Sequence, residues 1–72
     1  MLVDSEAMRE VEYDPGSRTL RIRFADGRWW RYFDVPPSIH AALIAAESHG
    51  RYFHEHIRDR FRYERCRPAE PR

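Results

Sequence analysis

Seventy-two residues allow one small domain, and 13 basic against 12 acidic residues leave a formal net charge of +1. That balance argues against a uniformly basic nucleic-acid-binding surface, so any such role must come from the local arrangement of charge. A single cysteine, Cys66, rules out an internal disulfide and suits a reducing compartment.

All 13 basic residues are arginine. Arginine forks and stacks where lysine is only a point charge, but codon bias toward arginine produces the same composition. The opening "MLVDSEAMRE" carries no apolar signal segment. No run approaches the ~20 apolar residues of a membrane span, so the cytoplasm is the expected compartment and no membrane contact is expected.

Residues 1–5 read as a short lead. In "AMREVEY", Val11 and Tyr13 point one way and Glu10 and Glu12 the other. "DPGS" supplies proline, glycine and Asx turn chemistry. "RTLRIRF" is the clearest strand, with Leu20, Ile22 and Phe24 alternating against Thr19, Arg21 and Arg23. "ADG" signals a hairpin loop, and "RWWRYFDV" forms a third strand rich in aromatics.

Pro36 and Pro37 end that strand and open a helix, where a missing N–H costs little. In "SIHAALIAAE", Ile39, Ala42, Leu43 and Ala46 make one apolar stripe. Ser48 is a candidate N-cap for a second amphipathic helix, "RYFHEHIRDRF", with Tyr52 or Phe53, Ile57 and Phe61 facing inward. "RCRPAEPR" has two prolines and little that is apolar, so 65–72 reads as a frayed tail behind a single domain over 1–64. The expected class is α+β: a three-stranded antiparallel meander followed by two helices packed on one face.

The loop at Gly27 decides which aromatics are buried. A two-residue turn at Asp26-Gly27 sets Ile22 opposite Arg31. A three-residue loop with Gly27 left-handed sets Ile22 opposite Trp30 and Leu20 opposite Tyr32. The longer loop is favoured, because it keeps Arg31 out of the core. It groups Val11, Tyr13, Leu20, Ile22, Phe24, Trp30 and Tyr32 as the core face, leaving Arg21, Arg23, Trp29, Arg31 and Phe33 outside.

"YDPGSRTLRIRF" and "DGRWWRYFDVPPSIHAALIAAESHGRYFHEHIRDRF" together resemble the KTSC domain, a small bacterial domain named after the C-terminus of certain lysyl-tRNA synthetases and also found alone. The resemblance runs from about Val11 to Tyr63. It rests on the Tyr-Asp before the first turn, the Leu-x-Ile-x-Phe strand, the paired aromatics, the Val-Pro helix start and the Ser-x-Gly turn. The family's central Tyr-x-Tyr stands here as Trp30-Arg31-Tyr32, and His54 stands where asparagine is common. The resemblance implies RNA as the suggested partner.

From the residues, the expected function is a non-catalytic binding module for RNA. Arg21, Arg23, Trp29 and Arg31 would form a stacking face, and Arg58, Arg60 and Arg62 a phosphate-reading strip on the second helix. Beside it stands a plainer reading. Glu10 and Glu12 share that face and should oppose the arginines of the second strand in ion pairs. The alternative function is a protein-interaction or self-association module anchored on Trp29 and Phe33. His54 and His56 lie two apart and cannot share a helical face, so no metal site is expected. No nucleophile elbow or glycine-rich phosphate loop appears, and neither a catalytic set nor a cofactor is expected.

Overall fold

The computed structural model describes residues 2–3 and 5–66. Its elements in chain order are β1 (Met8–Asp14), β2 (Thr19–Phe24), β3 (Trp29–Tyr32), α1 (Pro37–Ala45), α2 (His49–His56) and β4 (Tyr63–Cys66). The strands form one antiparallel sheet in the order β1-β2-β3-β4.

The first hairpin turns on Asp14. Its Oδ1 accepts from the Gly16 N–H at 3.0 Å and its Oδ2 from the Ser17 hydroxyl at 2.9 Å, the Asx chemistry that shapes such loops. The Ser17 bond first, then the Gly16 bond, holds this exposed carboxyl below its ordinary value.

The second hairpin follows the three-residue loop. Gly27 has φ +87°, a conformation open to glycine and costly for L side chains. The Gly27 N–H donates to the Phe24 carbonyl at 2.9 Å, and the Phe24 N–H donates to the Arg28 carbonyl at 2.9 Å. Leu20 therefore faces Tyr32, Ile22 faces Trp30 and Arg23 faces Trp29, as expected from the favoured loop. In the first pair, Val11 faces Ile22 and Tyr13 faces Leu20, with a bulge at Arg9 between Met8 and Glu10.

Three sequence expectations need correction. The sheet has a fourth strand, β4, which returns antiparallel beside β3, with Tyr63 opposite Tyr32 and Cys66 opposite Trp29. Residues 65 and 66 therefore belong to the sheet and not to a tail; residues 67–72 of the expected tail lie outside those described. The second helix starts earlier, at His49, where the Ser48 hydroxyl caps the Arg51 N–H, and it stops at His56. Ile57 leaves the helical conformation (φ −122°, ψ −46°) while its side chain stays fully buried, and the chain turns toward β3. From Arg60 onward, aromatic and polar residues alternate at the period of a strand, which outcompetes continuation of the helix.

Both helices cover one sheet face. The core joins Met8, Val11, Leu20, Ile22 and Tyr32 of the sheet with Val35, Leu43 of α1, Phe53 of α2 and Ile57. The Tyr13 hydroxyl donates to the Val35 carbonyl at 2.6 Å, and the Tyr13 ring stacks on His40 at 4.6 Å.

Burial lowers the pKa of His40. As pH falls below about 6.5, the unfolded chain binds this proton before the folded one does. The His40 contribution to stability is thus complete above that value and is lost as pH falls through the folded-state pKa. Thermal midpoints at pH 7.5 and 5.0 should therefore separate less in His40→Phe than in the wild type. An equal separation in both proteins would show that His40 plays no part.

Candidate nucleic-acid interface

The outer sheet face brings Arg21, Arg23, Trp29 and Arg31 together, but each cation is already engaged. Arg21 Nη1 lies 3.2 Å from Glu12 Oε1, Arg23 Nη2 3.4 Å from Glu10 Oε1, and Arg31 Nε 3.0 Å from Glu64 Oε1. These pairs follow from the register, which sets Glu12 against Arg21, Glu10 against Arg23 and Glu64 against Arg31. Each contributes only about 0.2–1 kcal/mol, yet each carboxylate offsets the positive charge that a phosphate would otherwise meet at that guanidinium.

Trp29 is 6% exposed. The Arg21 guanidinium lies 5.0 Å and that of Arg23 6.0 Å from the ring centroid, a cation–π cover. Phe33 lies under the Arg62 guanidinium at 4.7 Å. Neither ring is the open anchor that a stacking or protein-docking role on this face requires.

The arginines expected along the second helix also separate. Arg58 and Arg60 lie in the turn after α2, and Arg62 in the segment entering β4. No single helical strip forms, because the helix has already ended. Arg58 faces a second surface, on the helix-covered side of the sheet.

There α2 leaves part of β3 and β4 open. A groove of about 230 Å³ is lined by Phe24, Trp30, Tyr32, Phe53, Arg58 and Tyr63. Phe53 lies edge-on to Phe24 at 5.3 Å and to Tyr32 at 5.5 Å. Tyr63 meets Trp30 at 5.7 Å and Tyr32 at 5.6 Å. Tyr32 and Phe53 are buried, Trp30 is half-buried and Tyr63 is 50% exposed, so the groove has a packed floor and an open rim. Arg58 Nη1 sits 3.2 Å from His54 Nδ1. Arg65 stands opposite Trp30, hence on the groove side of the sheet, and is exposed. Glu64 points to the outer face toward Arg31.

Burial first, and then the neighbouring Tyr63, push the Tyr32 phenol above the ordinary tyrosine range, so it is protonated at neutral pH. Strand alternation places Trp30 and Tyr32 on the core side, where they lie, but gives no sign that they also wall a groove. The signal it lacked was β4, which brings Tyr63 and Arg65 alongside them.

The remaining chemistry-bearing residues are dispersed. His49 Nε2 lies 3.4 Å from the Ile44 carbonyl, His56 stacks on Tyr52 at 4.4 Å, and Cys66 is buried opposite Trp29. Among the described residues, no group of three or more His, Cys, Asp or Glu is placed to hold a metal ion. No helix among them is long and apolar enough to cross a membrane.

A four-stranded antiparallel sheet backed by two short helices, with an aromatic groove at their margin, defines a small α+β domain. The family model for the KTSC domain matches residues 4–61, and the chain belongs to that family. A protein of Tsukamurella paurometabola is 40% identical over 60 residues, covering 83% of this chain and 90% of that protein. A lysine–tRNA ligase of Nostoc sp. is 32% identical over 80 residues, which is 89% of this chain but 14% of the ligase. The crystal structure of a KTSC domain protein from Yersinia pestis superposes with a TM-score of 0.90 at 30% identity, covering 92% of this chain and 93% of that one.

Proposed function

We propose that this domain is a non-catalytic module that binds single-stranded RNA. The observation that carries this reading is the aromatic groove with Arg58 in its wall and Arg65 beside it. Exposed rings flanked by arginines stack bases and hold phosphates without sequence readout. Among the described residues, no carboxylate pairs with Arg58, Arg60 or Arg65, in contrast to the arginines of the outer face. The similarity to part of a lysine–tRNA ligase, a protein that handles RNA, supports the same partner class.

Binding through Arg58 and Arg65 should be salt-dependent. With two phosphate contacts, the slope of log K against log salt should be roughly −1.4 for a single strand. A fluorescein-labelled hexaadenylate titrated at several salt concentrations measures it. Absence of binding at low salt would overturn the reading.

A further inference from the structure

The groove has three features that a general stacking surface does not need. Its volume, about 230 Å³, lies below the roughly 300–1,000 Å³ of drug-sized sites and suits one ring system, not two. Among the described residues that line it, Arg58 alone carries a charge. Tyr32, only 4% exposed, also lines it, and its hydroxyl makes no hydrogen bond to another described residue yet is not sealed from solvent. A hydroxyl that no protein group uses and that solvent still reaches is a donor a ligand acceptor can take over from water.

A ligand that meets all three features has a flat aromatic ring, a hydrogen-bond acceptor on the edge of that ring, and one negative charge a few ångströms away. An unpaired nucleotide has these parts in that order. We propose that the groove seats a single unpaired nucleotide, with its base against Trp30, Phe53 and Tyr63, a base acceptor on the Tyr32 hydroxyl, and its phosphate on Arg58. This assignment rests on the RNA-binding reading and specifies it: one base enters the groove, and the rest of the strand stays outside. The protonated state of Tyr32 at neutral pH keeps the donor in place. Trp30 and Trp29 lie on opposite sheet faces, which gives the test an internal control.

The ¹⁵N-labelled full chain is titrated with AMP, and the two indole N–H resonances are followed. The Trp30 indole is expected to move and the Trp29 indole to stay, while inorganic phosphate alone moves neither. Tyr63→Ala removes an exposed ring without opening the core and should weaken AMP about tenfold. Tyr32→Phe keeps the packing and should weaken it about threefold to tenfold. Movement of Trp29 in place of Trp30, or an AMP affinity that ignores both substitutions, overturns the assignment. Hexaadenylate binding by the wild type separates the two levels. If hexaadenylate binds but Trp30 does not respond to AMP, the single-nucleotide assignment fails and the RNA reading stands. If hexaadenylate does not bind either, both fail.

Discussion

Phe53→Ala is expected to lower the unfolding free energy by about 3–5 kcal/mol, a large part of the total for a 72-residue chain. Phe53 is 7% exposed and bridges β2 and β3, meeting Phe24 and Tyr32 edge-on. Its removal deletes two aromatic pairs and leaves a cavity under the groove, because the sheet and α2 can collapse only partly. Total stability for this length is roughly 4–11 kcal/mol at typical per-residue values, so the loss takes from about a quarter to all of it, and only at the low end of that range is the variant unfolded at room temperature. Urea unfolding followed by tryptophan fluorescence measures the loss. A change below about 1 kcal/mol would mean that α2 does not pack as described.

Cys66→Asp is the second large effect. Cys66 is 6% exposed and faces Trp29 across β3 and β4. A carboxylate there would be desolvated, and folding would have to carry that cost or protonate the group; a loss on the order of 3 kcal/mol is expected. Cys66→Ala, which buries no charge, should cost much less. If residues 65–72 were a tail, both substitutions would fall within about 0.5 kcal/mol of the wild type. The pair of unfolding curves therefore tests whether β4 is part of the sheet.

The strands of the meander were legible because their signals are local. Gly27 at the third loop position set the β2–β3 register, and that register dictated which glutamate would meet which arginine on the outer face. Ser48 was legible as an N-cap for the same reason. β4 was not, because its four residues "YERC" contain two charges and run toward two prolines, so composition outweighed the alternation of Phe61 and Tyr63 with polar residues.

The candidate site was the least legible part. Alternation assigns Trp29 to the outer face correctly but says nothing about what lies over the ring. Arg21 and Arg23 fold across it, as amphipathic side chains do on apolar surface. The groove draws on β2, β3, α2, the turn after it and β4, residues up to 39 positions apart (Phe24 to Tyr63). No local pattern carries that information. Of the seven arginine and tryptophan residues expected to bind, Arg58 is the one that lines the groove, and the aromatics beside it carry no sequence signal beyond that of core residues.

The proposed binding surface is the groove side of the sheet and not the arginine-bearing outer face. Hexaadenylate titrations at about 50 mM salt into Tyr63→Ala and into the double variant Arg21→Ala/Arg23→Ala decide between them, with folding of each variant checked by its unfolding curve. The expected result is roughly tenfold weaker binding by Tyr63→Ala and wild-type affinity in the double variant. Weakened binding by the double variant, with Tyr63→Ala unchanged, would contradict this placement and return the site to the outer face.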